Sequence, residues 1–288
     1  MQAYLNGAYI DESQATVSIF DRGFLYGDTL YETMRTHRGR LLFWPEHRER
    51  LRRSIELAHF EFDPDRLDLP TVAARLIALN DLTEAVVRVT ISRGLADRDQ
   101  IRAYPHTWAV TAHPLVLRPE EDYRIGVAAL LAGIRRNAPA ALDPAIKAGN
   151  WLNNLLARRE ARLVGAVEGV MLSIDGYLAE GASSNLFWVS GGVLETPAVE
   201  VGILHGVTRA KVLAAAQGWI ETREVRARPD RLAAASEIFL TSTTWEVLPV
   251  TTWNGAPVGG GTVGEVAPEL RRRLQRLYDL AAGEGANG

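Results

Sequence analysis

Apolar and polar positions fall into two rhythms along the 288-residue chain, period two and period near 3.6, and the switches between them predict its elements. At the N-terminus, AYLNGAYI sets Asn6-Gly7 between two apolar-aromatic runs, the strongest short signal for a hairpin. LYETMRTH and LLFW, joined by the turn Arg38-Gly39-Arg40, predict a second hairpin. Pro45 then opens a helix, PEHRERLRRSIELAHF, with Leu51, Ile55 and Ala58 as its buried stripe and Arg48 in its first turn. Another helix is expected over Leu69 to Leu79. From Ala85 to Ser92 the alternation is strict, with Val87, Val89 and Ile91 on one face and Val86, Arg88 and Thr90 on the other. Arg88 is thereby aimed into whatever that second face lines. TWAVTAHPL, across the polar loop GLADRDQIRAYP, is the expected neighbouring strand.

The charged stretch LRPEEDY reads as the end of a first half, with a strand in RIGVAALL starting the second, so two sub-domains are expected over residues 1–118 and 119–288. The second half is organised around AIKAGNWLNNLLARREARL. There Leu152, Leu155, Leu156 and Leu163 fall at helical spacing, Asn150 is a candidate N-cap, and Lys147 stands at the mouth of the helix. Short strands follow in VEGVMLS, in GYLAE after the Asp175-Gly176 turn, and in LFWVS before Gly191-Gly192. A helix from Val207 to Gln217 is stopped by Gly218; EIFLTST and EVLPVTTW read as strands, and an amphipathic helix from Val266 to Ala282 closes the chain. Strands clustered with helices between them, rather than in strict alternation, predict an α+β protein.

Charge and composition narrow the function. The 32 basic and 35 acidic residues nearly cancel, leaving a formal charge of -3, which gives no reason to expect nucleic acid or a membrane surface as partner. Zero cysteines remove disulfides, zinc-thiolate sites and thiol nucleophiles and suit a reducing cytosol, where the protein is expected. The 6 histidines are scattered without metal-ligand spacing, so no metal is expected. The N-terminal residues lack the basic start and apolar run of a secretory signal, and no stretch has the length of a membrane span.

Three places can carry chemistry. VGILHGVTRAKVL leads a glycine-containing turn into a helix, which turns the N–H groups of Val207 and Thr208 outward as an anion cup; the plain alternative is an ordinary helix start. Thr241-Ser242-Thr243-Thr244 ends a strand and offers hydroxyls, and Arg48 offers a fixed positive charge. Glu180, at a strand end in LAEGASSNLF, is either a solvated carboxylate or a buried acceptor for a protonated ring nitrogen. GGGTVG, from Gly259 to Gly264, matches a dinucleotide fingerprint in form only, because too little chain follows for the βαβ unit, and it reads as a turn.

IKAGNWLNNLLAR, LAEGASSNLFWV, TPAVEVGILHGVTRAKVL and AAASEIFLTSTTWEVLPV, preceded by DRGFLYGDTLYETMR and EHRERLRRS, resemble in order, over nearly the whole chain, the class IV aminotransferases, which are fold-type IV pyridoxal phosphate enzymes. The resemblance implies an α+β fold of two α/β sub-domains with the cofactor site between them, and pyridoxal 5'-phosphate as cofactor. It implies that Lys147 bonds to the cofactor aldehyde and shuttles a proton, and that Glu180 pairs with the pyridine nitrogen while Leu204 packs on the ring. The phosphate falls to Arg48, the backbone of Val207 and Thr208, and the hydroxyl of Thr243. Tyr31, Thr33, Arg35, Val86, Arg88 and Thr90 would line the substrate pocket, with N–H groups from the turn at Thr244 for a carboxylate. Arg88, or Arg98 in the loop, would clamp that carboxylate. Members are homodimers or larger.

The expected reaction is transfer of an amino group between an α-amino acid, of L or D configuration, and a 2-oxo acid. Two alternatives stay open: a branched-chain aminotransferase and an aminodeoxychorismate lyase, which releases pyruvate. Trp151 stands where branched-chain members usually have tyrosine, and Thr33 where they have glycine. VRVTISRG is similar to the corresponding strand of the lyases, although those usually carry lysine at the position of Arg88.

Overall fold

A computed structural model describes residues 1–95 and 105–283. The chain divides into two compact units: the first comprises Met1–Val116, Ile146–Trp151 and the chain from Tyr278, the second Leu117–Ala145 and Leu152–Leu277.

In the first unit, β1 (Gln2–Leu5), β2 (Ala8–Asp11), α1 (Arg22–Tyr26), β3 (Thr29–His37), β4 (Arg40–Leu41), α2 (Trp44–Leu57), α3 (Leu69–Leu79), β5 (Ala85–Ser92) and β6 (Thr107–Pro114) follow one another. The strands form one sheet in the order β2-β1-β6-β5-β3-β4. Pairing of Leu5 with Ala8 leaves Asn6 and Gly7 alone in the turn, with φ of 49° and 98°, the left-handed pair that a two-residue hairpin requires. The second hairpin is shorter than its apolar run, because Trp44 already belongs to α2.

One face of this sheet carries the core. Met34, Val87, Val89, Ile91 and Val110 have no exposure and pack with Leu51 of α2 and Leu69 and Leu76 of α3. Each such side chain contributes about 1.5–3 kcal/mol by leaving water. Thr33 pairs with Arg88 and Tyr31 with Thr90, so these residues point together from the opposite face.

The second unit contains α4 (Glu120–Ile125), β7 (Val127–Leu131), α5 (Leu152–Leu163), β8 (Glu168–Leu172), β9 (Leu178–Gly181), β10 (Asn185–Ser190), β11 (Val193–Pro197), α6 (Val207–Ala216), β12 (Thr222–Val225), β13 (Glu237–Ser242), β14 (Glu246–Trp253), β15 (Ala256–Pro257) and the start of α7 (Val266–Gly283). Its sheet runs β12-β11-β10-β13-β14-β7-β8-β9, with β15 on β14, and β9 pairs back onto β10. Strands β10, β13, β14, β7, β8 and β9 therefore close into a ring. Leu178, Leu186, Trp188, Leu240 and Leu248, all without exposure, belong to its core. No helix among the described residues is long and apolar enough to cross a membrane.

Two local expectations change. The strand expected over RIGVAALL starts only at Val127, because Glu120–Ile125 form α4, in whose acidic first turn the negative charge of Glu120, Glu121 and Asp122 suits the helix dipole. The leucine stripe of α5 faces outward, with Leu152, Leu155, Leu156 and Leu163 exposed by 68%, 48%, 42% and 79%. Asn154, Ala157 and Ala161 turn inward instead. A Cβ at Gly169 of β8 would lie 2.4 Å from the Ala157 carbonyl oxygen, so the helix approaches the strand through small residues and leaves its large ones unused. The helix begins at Leu152, beyond the expected cap at Asn150.

Candidate active site

Lys147 lies in the segment that returns to the first unit. Tyr31 of β3 donates its N–H to the Lys147 carbonyl at 3.0 Å, Gly149 donates to the Thr29 carbonyl at 2.8 Å, and the Lys147 N–H donates to Ser54 Oγ of α2 at 3.1 Å. The backbone is pinned from both sides of the lysine, which fixes where its side chain starts. Its Nζ stands 4.4 Å from the Tyr31 ring centroid, and the Arg88 guanidinium carbon stands 3.8 Å from the same centroid. Tyr31 thus bears two cation–π contacts, while Arg88 Nε also donates to Thr90 Oγ1 at 3.1 Å.

On the core face of β3, Glu32 is fully buried. Arg50 Nε and Nη2 donate to its two oxygens at 2.7 Å each, and His47 Nδ1 lies 2.8 Å from Oε2. Burial alone would raise the carboxyl pKa, but the charge and hydrogen bonds of Arg50, aided by His47, outweigh it and hold Glu32 well below the ordinary carboxylate range. Burial pushes the His47 pKa down against the pull of Glu32; the positive charges of Arg50 and Lys147 add to that depression, so the amine of Lys147 is within electrostatic reach of the network.

Arg48 is the arginine expected at the phosphate. Its side chain is 45% exposed and 3.4 Å from Asp65, on the outward face of α2. Residues two apart on a helix differ by about 200° in direction, so the arginine that turns inward is Arg50. The signal is present in the sequence: His47, Arg50 and Ser54 flank the apolar stripe of Leu51 and Ile55 at helical spacing. Arg98 falls outside the described residues.

In the second unit, Glu180 of β9 is buried, and pairs across the sheet with Asn185 of β10, which pairs in turn with Thr241 of β13. The three side chains therefore share one face in a row. Arg136 Nε donates to Glu180 Oε1 at 2.7 Å, while Oε2 accepts from the Leu204 N–H at 3.0 Å and from Asn185 Nδ2 at 3.2 Å. Asn185 Nδ2 also donates to the Leu204 carbonyl at 3.0 Å, so carboxylate, asparagine and loop form a closed triangle. That loop runs straight into α6.

Gly206 is the N-cap of α6 and brings no side chain to cap it; the first intrahelical bond is from Ala210 to Gly206. A Cβ at Gly206 would meet Asn185 Oδ1 at 1.9 Å, so only glycine allows the helix to start this close to the row. Val207 and Thr208 are buried in its first turn, where N–H groups have no carbonyl ahead of them. Thr243 and Thr244 occupy the turn between β13 and β14, and Thr241 Oγ1 is buried without a hydrogen-bond partner among the described residues. Thr241 belongs to the hydroxyl-rich strand end expected from the sequence, whereas Arg136, Asn185 and Glu32 were not singled out, because their importance lies in tertiary pairings that no local pattern reveals.

A family model described as amino-transferase class IV matches residues 29–253. The chain belongs to the class IV aminotransferases. This class IV aminotransferase is 34% identical over 278 residues to the aminodeoxychorismate lyase of Bacillus subtilis (strain 168), covering 96% of this chain and 92% of that protein. It is 31% identical over 277 residues to the D-alanine aminotransferase of Bacillus licheniformis, covering 96% of both. Among solved structures, the branched-chain amino acid aminotransferase from Thermobaculum terrenum in its PLP-form superposes with a TM-score of 0.86 at 25% identity, covering 96% of this chain and 94% of that one. Pyridoxal phosphate, the coenzyme of the family, is the one expected from the sequence. The α+β, fold-type IV architecture expected there is the one observed.

Proposed function

We propose that this class IV aminotransferase moves an amino group between an α-amino acid and a 2-oxo acid, with Lys147 holding the pyridoxal phosphate and carrying the proton. The observation that carries the reading is the buried Glu180, kept as an acceptor by Arg136 and tied through Leu204 to an uncapped helix start. The described donors take three of the roughly four acceptor sites a carboxylate offers, leaving room for a protonated ring nitrogen. The outward N–H groups of α6 suit a phosphate, and the Thr241 hydroxyl, without a partner among the described residues, supplies a further polar contact.

The coenzyme supplies an aldehyde that condenses with amines and a ring that draws electrons from the carbon beside the nitrogen. The protein does the rest. Glu180 would accept from a protonated ring nitrogen, Val207, Thr208 and Thr243 would hold the phosphate with Arg50 in the role expected of Arg48, and Leu204 would cover the ring. Lys147, its backbone fixed by β3 and α2, removes and returns the proton at the substrate Cα. Arg88, beside Tyr31 on the face opposite the core, takes the substrate carboxylate, with the N–H groups at Thr244 as a second holder. The exposed leucines of α5 support assembly into a homodimer.

Elimination is the second reading, favoured by the identity to the B. subtilis lyase. One assay separates them: amino acids convert the bound coenzyme to its pyridoxamine form without an acceptor if the protein is a transaminase, whereas a lyase releases pyruvate while consuming no 2-oxo acid. A panel of L- and D-amino acids with 2-oxoglutarate or pyruvate then fixes the donor and the hand.

A further inference from the structure

Glu168, the first residue of β8, has no exposure and no cationic partner among the described residues. Its oxygens meet hydrogen-bond donors only. Ser183 N–H at 3.0 Å, Ser183 Oγ at 2.7 Å and Ser184 Oγ at 3.0 Å all converge on Oε2, and the Gly169 N–H approaches Oε1 at 3.1 Å. Burial raises the pKa of this carboxyl and the donors work against that rise.

The residues it gathers are the turn between β9 and β10. That turn, Ala182 to Ser184, begins two residues after Glu180 and ends just before Asn185, and Glu180–Asn185 is the single ladder pair between the two strands among the described residues. One ladder pair does not fix a turn; side chains must. Asn154 Nδ2 donates to the Ala182 carbonyl at 2.8 Å, and the Ala182 N–H donates to the Gly169 carbonyl at 2.9 Å, so the strand bearing Glu168 and helix α5 both reach the turn. A Cβ at Gly181 would lie 2.3 Å from Ser184 Oγ and 2.9 Å from Glu168 Cγ, so the chain folds over the carboxylate in close contact.

We propose that Glu168 is a positioning residue for coenzyme binding: its buried carboxylate clamps the Ser183-Ser184 turn and thereby sets Glu180 and Asn185 at the spacing the ring nitrogen needs. The inference rests on the proposed role of Glu180. Glutamine substitutes poorly, because in either orientation its amide nitrogen would face a backbone N–H, that of Ser183 or that of Gly169, even though the serine hydroxyls can turn to accept; aspartate is one methylene too short to reach.

The test uses Glu168→Gln, the double variant Ser183→Ala/Ser184→Ala, and Glu180→Gln as reference. Pyridoxal phosphate is titrated into each apoenzyme by its visible absorbance, and apoenzyme thermal midpoints are recorded alongside. Glu168→Gln is expected to raise the coenzyme Kd about tenfold and to shift the bound band in the direction Glu180→Gln shifts it, while adding little when combined with Glu180→Gln. The serine pair is expected to follow, and carries the test alone if Glu168→Gln does not fold. A lowered thermal midpoint with unchanged Kd and band, or full additivity with Glu180→Gln, overturns the proposal. If Glu180→Gln itself leaves the Kd unchanged, the underlying reading of Glu180 fails first, which is a distinct result.

Discussion

Arg50 grips Glu32 through two parallel hydrogen bonds of 2.7 Å, one to each carboxylate oxygen, on the buried side of β3. Removing the guanidinium leaves a carboxylate with no exposure beside a histidine whose pKa burial lowers. Arg50→Ala is therefore expected to destabilise the apoenzyme by about 3–5 kcal/mol, the usual effect of breaking a buried pair from one side. Arg48→Ala, at an exposed position, should change stability by about 0.5 kcal/mol or less. Urea denaturation of the two variants compares them directly. The coenzyme Kd should rise in a folded Arg50→Lys variant and stay unchanged in Arg48→Ala.

The same network sets a pH dependence. The His47 pKa is depressed in the folded state, so the unfolded chain binds the extra proton first, and stability falls as the pH drops through about 6.5. Glu32 is also depressed, and its contribution is lost only as the pH falls below about 4.3. Glu168 works in the opposite sense: its pKa is raised, so it favours the folded state at low pH and that contribution is lost as the pH rises through its folded value. Urea midpoints at pH 8, 7, 6 and 5 are expected to fall toward acid, with a smaller drop between pH 7 and 5 in His47→Gln. An identical drop in that variant would remove His47 from the explanation.

Arg88 is expected to act on substrates that carry a carboxylate. Arg88→Ala should raise KM for amino acids far more than for an unsubstituted amine, with the absorbance of the bound coenzyme unchanged. Equal effects on both substrates would assign the Arg88–Tyr31 contact a structural role instead.

Helix α5 presents Leu152, Leu155 and Leu156 to solvent. If they meet a second copy of this chain, Leu155→Glu with Leu156→Glu should shift sedimentation from dimer toward monomer at micromolar concentration without altering the far-ultraviolet circular dichroism. A wild-type chain that sediments as a monomer would contradict that assembly.

The sequence carried much of this. Both hairpins, the alternation of β5 and the placing of α2, α3, α6 and α7 rest on local pattern, which the tertiary structure left in force. The leucines of α5 marked a helix that is there, but helical spacing identifies an apolar face without saying whether alanines on another face pack more closely. Arg48 stands in the place of Arg50 when a motif is matched by letters, which ignore direction around the helix, and the direction decides which arginine is buried. Asn185, Arg136 and Glu168 were invisible for a different reason. Their partners, Glu180 and the 182–184 turn, come from strands whose pairing is set only once the ring of the second unit closes.

The central claim is that Lys147 bonds covalently to the coenzyme, and borohydride reduction of the holoenzyme followed by peptide mass spectrometry tests it most directly. A phosphopyridoxyl mass on the peptide containing Lys147, with no visible band in Lys147→Ala, is the predicted result. A label on Lys211 instead, or none on any lysine of a yellow protein, would contradict the account.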